Sequence, residues 1–253
     1  MDVTAYLDRI GAARPRAADE DALRELHRAH LATVPFENLS IHLDEPISLA
    51  EEDLFDKIVR RRRGGFCYEL NGAFALLLEA LGYRVTRAAA RVFGDGRLGP
   101  PFDHLALLVT TPAGGVWLAD VGFGSHSSHP LRFADRAEQA DPGGTFLLRD
   151  APDGDVDVLK DGRPEYRLEP RARSLPDFAP TCWWQQTSPE SHFTKGTICS
   201  RLDGDGRLSI GGRTLIRTHG TVRTEEPLDT DDALRAAYRE HFGIVLDRLP
   251  KAG

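Results

Sequence analysis

Cysteine occurs three times in 253 residues, at Cys67, Cys182 and Cys199, and one of the three stands where a thiol can do chemistry. In "RRRGGFCYELNGAF", residues 61–74, Cys67 follows the Gly64–Gly65 pair and opens a run that reads as a helix. A thiol attacks only as thiolate, and a free pKa of about 8.5 leaves little thiolate at neutral pH. A helix N-terminus with its partial positive charge, and an imidazole that takes the proton, both relieve that shortage. The two glycines allow a substrate to approach the backbone closely. "FDHLALLV" sets His104 at the head of an apolar strand, and "VWLADVGFG" sets Asp120 at the end of the next. Adjacent strands bring two such side chains together, and Cys, His and Asp then follow the logic of nucleophile, base and orienting carboxylate.

Each of these residues also has an ordinary role. Cys67 serves equally as a small buried hydrophobe at a helix start, a strand histidine as a satisfied core residue, and an aspartate at a strand end as a turn former. Asp120, however, follows the apolar "VWLA", where an unpaired carboxylate is costly to bury, so it needs a cationic or hydrogen-bonding partner. Cys182, ahead of "WWQQ", and Cys199, in a strand pattern, read as packing. "HRAH" (His27, His30) and "HSSH" (His126, His129) have spacings a metal could use, but no matching carboxylate or thiol cluster accompanies them, and they read as surface or packing residues.

The elements that must position these groups fall into successive stretches. Up to Gly82 the period is helical: "DEDALRELHRAHLATV" with Asp19 as cap, then "LAEEDLFDKIVRR", then the strongly apolar "ELNGAFALLLEALGY", whose all-round hydrophobicity predicts a helix buried on most sides. From Arg84 the period becomes that of short strands, "VTRAAARVF", "HLALLVTT", "VWLADVGF", "GTFLLRD", "DVDVLKDG" and "EYRLEP", separated by Gly, Pro and Asp turns. A sheet or barrel is the simplest reading. "HFTKGTICSRL", "GRLSIGG", "RTLIRTHG" and "GTVRTEEPL" continue as hairpin-like strands before one amphipathic helix, "TDDALRAAYREHFG".

Composition excludes several classes. Charged residues are 28% and hydrophobic ones 41% of the chain, the balance of a folded globular protein long enough for a sizeable core. The net charge of −7, with "RRRGG" the one dense basic run, argues against nucleic acid as partner. No apolar run approaches the roughly 20 residues that span a bilayer, and the start has no basic-then-apolar leader, so the expectation is a cytoplasmic protein without membrane contacts. An odd number of distant cysteines without a C-x-x-C pair fits neither a disulfide framework nor a thiolate zinc site.

With "VPFENL" (34–39), "RGGFCYELN" (63–71), "DHLALLV" (103–109) and "ADVGFG" (119–124), and the weaker "TSPESHF", "CSRL" and "HFGIVLD", nearly the whole chain resembles the arylamine N-acetyltransferases. The resemblance places Cys67, His104 and Asp120 on the family's catalytic cysteine, histidine and aspartate. It implies an α+β fold with an N-terminal helical bundle (1–83), a central β-barrel (84–190) and a C-terminal α/β lid (191–253), carrying a cysteine-protease-like Cys-His-Asp site between bundle and barrel. The implied reaction is ping-pong: Cys67 takes an acetyl group from acetyl-CoA, a donor substrate and not a resident cofactor, and passes it to a neutral arylamine or arylhydrazine.

Phe36, Phe66, Val92, Phe93, Phe123 and Phe193 are the candidates around the amine, of which Phe36, Val92 and Phe123 match acceptor-lining positions of the family. The backbone N–H of Cys67 and one from the 121–124 turn are candidate oxyanion donors. Arg63 and Glu69 are expected to form an ion pair tying the loop, with Glu37 and Asn38 also structural. For CoA the candidates are Gly122, Gly124 and Ser125 in the turn "GFGSHSSHP", with Thr194 and Lys195 adding a donor and a charge. Pro100 and Pro101, just before His104, remove two N–H donors that some relatives offer to the pyrophosphate. A second enzyme reading keeps the acyl-cysteine but takes the acyl group from a polyketide on an acyl carrier protein and closes a macrolactam, as amide synthases of similar sequence do; a cysteine hydrolase is a third reading and an inactive binding module a fourth.

Overall fold

Side-chain oxygens of Asp2 and Asp19 accept the N–H groups of Ala5 and Ala22, starting helices α1 (Val3–Ile10) and α2 (Glu20–Thr33) by satisfying donors that a helix leaves open at its first turn. The computed structural model describes residues 1–94 and 96–251. After α2 come β1 (Phe36–Glu37), α3 (Leu39–His42) and α4 (Glu51–Phe55), which runs on into one wide turn, Asp56–Arg60. Helix α5 (Cys67–Ala80) is buried at every residue from Cys67 to Leu78. It is the hub of the N-terminal part, with α1 and α4 packed against it and the strands β2 (Arg84–Gly94) and β4 (His104–Thr110) beside it.

Those strands belong to an antiparallel sheet with β3 (Arg97–Leu98), β5 (Val116–Ala119), β6 (Leu131–Arg132), β7 (Gln139–Asp141), β8 (Gly144–Asp150), β9 (Val156–Lys160) and β10 (Arg163–Arg173). Its order is β6-β5-β4-β2-β10-β9-β8-β7, with β3 paired to β2. The sheet curls until its first and last strands meet. There the Gln139 side chain accepts the Arg132 N–H and donates to the Arg132 carbonyl, a side-chain bridge in place of a backbone ladder.

Strand β4 reads as one apolar run because both its faces are covered. Leu105, Leu107 and Val109 pack with α5, while Ala106 and Leu108 join Phe146, Val158, Tyr166 and Leu168 in the barrel interior. His104, two residues before Ala106, shares that inner face.

Between the barrel and the last strands lies α6 (Ala179–Thr187), a helix that the hydrophobic period does not announce. Pro180 suits a first helical turn, but nine residues with Trp183 two-thirds exposed carry no apolar stripe. A second antiparallel sheet has the order β1-β11-β12-β13-β14, built from β11 (Ile198–Asp203), β12 (Gly206–Gly211), β13 (Thr214–His219), β14 (Val222–Pro227) and the early strand β1. Cys199, Leu208, Ile210 and Leu215 on one face pack with Leu234, Tyr238 and Phe242 of α7 (Asp231–Phe242). Ile198, Leu202, Arg207, Ser209, Ile216 and Thr218 form the other face, which looks onto a cavity. No helix among the described residues is long and apolar enough to cross a membrane.

Candidate active site

Cys67 is the first residue of α5, and the turn before it is fastened by buried charges. The Glu69 carboxylate accepts the Phe66 N–H at 3.3 Å and the Lys57 ammonium at 2.6 Å. Arg63 pairs with Glu37 at 2.9 Å and Glu45 at 3.2 Å. The expected Arg63–Glu69 pair is therefore replaced by two others, because the wide turn delivers Lys57 to Glu69 and β1 sets Glu37 beside Arg63. Burial drives the Glu69 carboxyl up against the opposing pull of Lys57, whereas at Glu37 the upward push of burial is outweighed by Arg63, Lys57 and the Leu39 N–H together, which hold the carboxyl down. Glu37 also accepts the Leu39 N–H, and Asn38 bridges the carbonyls of Phe193 and Gly196 and the Ile198 N–H, so β1 ties the helices to the second sheet. Gly64 has no room for a side chain: a Cβ there would lie 1.9 Å from the Pro35 carbonyl oxygen.

Strands β4 and β5 are antiparallel with Leu107 opposite Ala119. One further step sets Asp120 across from Ala106, on the same face as His104. The Asp120 carboxylate accepts four donors: His104 Nε2 at 2.7 Å, Tyr166 Oη at 3.1 Å, Asn71 Nδ2 at 2.9 Å and the Gly122 N–H at 3.0 Å. Burial alone would raise this carboxyl, but His104 and the other donors more than offset it and hold it below the ordinary carboxylate range. An ionised Asp120 requires the proton on Nε2 of His104, which leaves Nδ1 as the free base.

Cys67 and His104 line one cavity of about 220 Å³ together with Phe36, Val92, Asp103, Gly122, Phe123, Gln185, His192 and Phe193. Burial pushes the Cys67 thiol up, opposed by the backbone of Leu105, and the carboxylates of Asp103 and Asp120 add to the rise. A lone thiolate is thus disfavoured here. The helix end alone therefore does not supply the acidity expected of Cys67.

Of the aromatic candidates, Phe36, Phe123 and Phe193 line this cavity, as does Val92. Phe66 lies fully buried beneath it, edge-on to Phe193 and Tyr68. Phe93, next along β2, points to the other face of the strand, where the Arg167 guanidinium lies 5.9 Å from its ring. In the turn after β5, Asn71 Oδ1 engages the Val121 N–H and Asp120 the Gly122 N–H. Among the described residues no hydrogen-bond partner occupies the N–H groups of Cys67, Phe123 or Gly124. Gly122 packs directly on the Cys67 backbone: a Cβ would meet Cys67 Cα at 2.7 Å.

Three supporting residues escape a reading by motif. Tyr166 reaches Asp120 from β10, and Asn71 from one turn below Cys67. His27 on α2 accepts the Asp120 N–H at Nε2 (3.2 Å) while its Nδ1–H donates to the Ser128 carbonyl (3.1 Å), and burial lowers its pKa to about 4. The neutral tautomer is fixed from both sides. His126 bonds Glu165 and Tyr166, and His129 bonds Asp141, so "HRAH" and "HSSH" disperse into separate hydrogen-bonding roles. The signal that could have found His27 is its helical spacing of four from Leu23 and Leu31, which puts it on the core face of α2.

A second cavity, about 540 Å³, lies between the barrel turns and the second sheet, lined among others by Ser125, Lys160, Arg207, Ser209, Thr218 and Arg223. Arg207 donates to Ser200 Oγ at 3.0 Å, has no carboxylate within ion-pair distance among the described residues, and is lowered by burial to about 10. Of the residues anticipated for CoA, Gly122 lines the first cavity and Ser125 the second, with Gly124 between them against the Phe36 ring. Thr194 spends its hydroxyl on the Ser188 and Ser191 carbonyls, and Lys195 is exposed outside both cavities.

The family model described as N-acetyltransferase matches residues 19–250. The arylamine N-acetyltransferase of Mycobacterium tuberculosis is 37% identical over 267 aligned positions, covering 100% of this chain and 93% of that protein. That of Escherichia coli is 32% identical, covering 96% and 88%. Among solved structures, the Mycobacterium marinum arylamine N-acetyltransferase in complex with CoA superposes with a TM-score of 0.88 at 33% identity, covering 96% of this chain and 93% of that one.

Proposed function

This chain belongs to the arylamine N-acetyltransferase family, and we propose that Cys67, His104 and Asp120 carry its transfer of acetyl from acetyl-CoA to an arylamine or arylhydrazine. The observation that carries the residue assignment is the His104–Asp120 contact of 2.7 Å beside the cavity that His104 and Cys67 both line. His104 Nδ1 takes the thiol proton. The thiolate adds to the acetyl carbonyl, and the CoA sulfur leaves with the proton returned by the imidazolium. A neutral amine then adds to the acyl-cysteine, gives its proton to His104, and expels the Cys67 thiolate as the amide forms. In both halves the developing oxyanion is met by the unpaired N–H groups of Cys67 and the 123–124 turn. Apolar walls of Phe36, Val92, Phe123 and Phe193 suit an uncharged aromatic amine.

The acyl donor enters, in this reading, past Gly122 and Ser125, with its phosphates in the second cavity near Lys160, Arg207 and Arg223. Register supports a continuous path: Phe36, on the wall of the first cavity, pairs with Ser200, which holds Arg207. The units 1–83, 84–190 and 191–253 then contribute the nucleophile, the His–Asp pair and the donor's outer wall. A polyketide on a carrier protein finds no support among the relatives, which are acetyltransferases by name.

Intact-mass measurement tests the reading. Acetyl-CoA alone should add one acetyl group, an arylamine should remove it with amide formation, and Cys67→Ser should gain nothing while Cys182→Ser and Cys199→Ser behave as wild type. Acetylation of the Cys67→Ser protein to the same extent would refute the assignment.

A further inference from the structure

Asp103 is a carboxylate in a cavity otherwise walled by aromatic and neutral groups. It lines the acceptor cavity one residue before His104, and also an adjoining cleft of about 210 Å³ with Arg97, Trp184, Glu190 and His192. Its Oδ1 accepts Gln185 Nε2 at 2.7 Å and its Oδ2 the Val92 N–H at 3.3 Å. Both oxygens accept, as those of an ionised carboxylate do; burial raises this carboxyl, opposed by the Val92 N–H, His104, Gln185 and His192. Neither lysine nor arginine pairs with it among the described residues, and no cation other than the histidines His104 and His192 lines the first cavity.

The backbone commits itself to this placement. Phe102 is held at φ 62°, a left-handed conformation that a bulky residue adopts only when its surroundings impose it. Tyr68 Oη donates to the carbonyls of both Phe102 and Asp103, and the Phe102 ring packs edge-on against Phe178 at 5.3 Å. Gly99 makes room for the carboxylate, since a Cβ there would fall 2.1 Å from Asp103 Oδ2.

Resting on the acyl-cysteine reading above, we propose that Asp103 is a specificity-determining residue that selects acceptors by the charge of the ring substituent, rejecting arylamines that carry a carboxylate and accepting those that carry a hydrogen-bond donor or a cation. A carboxylate brought into this low-dielectric cavity meets the carboxylate of Asp103, which pairs with no lysine or arginine among the described residues. An amide N–H or an amidinium meets an acceptor with unused lone pairs.

Three para-substituted anilines separate this from intrinsic reactivity: 4-aminobenzoate, 4-aminobenzamide and 4-aminobenzamidine. Electron withdrawal makes the amine of the benzoate the best nucleophile and that of the amidine the worst. Pairs of them are made to compete for preformed acetyl-enzyme, so that the partition ratio reports the second half-reaction alone, and any effect of Asp103 on acylation of Cys67 cancels. The expected result inverts the intrinsic order, with the benzoate at least tenfold behind the amide. Asp103→Asn, which keeps the shape and the bond to Gln185, should restore the benzoate at least fivefold relative to the amide and set the amidine back. Partition in the intrinsic order by the wild-type enzyme, or an unchanged ratio in Asp103→Asn, overturns the inference. The wild-type measurement decides even if the variant folds poorly, and a failure of acetyl-enzyme to form at all would instead refute the acyl-cysteine reading.

Discussion

Burial makes a lone thiolate at Cys67 costly, so in the proposed reaction the thiol proton passes to His104, which the Asp120 carboxylate holds in place. Removing the base should therefore do more than slow the reaction. In His104→Ala, alkylation of Cys67 by iodoacetamide should require a pH above the free-thiol value of about 8.5, because only the upward push of burial remains, whereas the wild-type inflection should lie below it. Equal inflections in the two proteins would disprove the coupling. Asp120→Asn acts one atom further away. An amide at that position can present N–H₂ to Nε2 and favour the wrong tautomer, and by the order of magnitude seen for a triad aspartate the loss in kcat should be about 10⁴-fold. Circular dichroism must accompany the assay, because Tyr166, Asn71 and Gly122 also bond that carboxylate. A folded variant with near-normal turnover would reduce Asp120 to a turn residue.

At the scale of elements, polar contacts from α2 and α5 add to apolar packing in holding the barrel strands in position. His27 is the clearest, since it locks α2 to the backbone on both sides of the Asp120 turn. Its folded pKa is about 4 against an ordinary 6.5, and the cause is burial. Between those values the unfolded chain binds a proton that the folded one refuses, so the contribution is intact above pH 6.5 and is lost as the pH falls toward 4. The window of about 2.5 units corresponds to roughly 3 kcal/mol. His30, also lowered by burial, adds a loss of the same sign. Chemical denaturation across this range should show stability falling with acid, and His27→Gln should flatten the slope while lowering stability at pH 7. An unaltered slope would mean that His27 is solvated in the folded protein.

Considered as a whole molecule, the chain brings a helical hub, a curled barrel and a C-terminal sheet around two cavities that share the 122–125 turn. The division of labour proposed for them makes a distinct kinetic demand. Arg207→Met should raise KM for acetyl-CoA about tenfold or more, since a charge-assisted contact to phosphate is commonly worth about 1.5–3 kcal/mol. Acylation by 4-nitrophenyl acetate, which has no nucleotide, should be untouched. Parallel loss with both donors would place Arg207 in folding and not in donor binding.

The fold class, and the Cys67, His104 and Asp120 proposed as the reacting groups, could be read from the chain because they rest on local signals. "RGGFCYELN" combines glycines, a thiol and the start of an apolar helix within nine residues, and the strands around His104 and Asp120 declare themselves by composition. What tertiary structure alone decided are the pairings across long separations. Lys57 and not Arg63 neutralises Glu69, Arg63 turns to Glu37 twenty-six residues away, and Arg207 lines the second cavity without an ion pair among the described residues although Asp161 and Asp205 line it too. The choice of Val92 over Phe93 as a wall of the cavity depends on strand phase: period two is visible in any strand, but which set faces inward is set by pairing with β4 and β10. Periodicity specifies the kind of element a segment forms; the partner of a buried charge and the inward face of a strand follow from packing, which no local window contains.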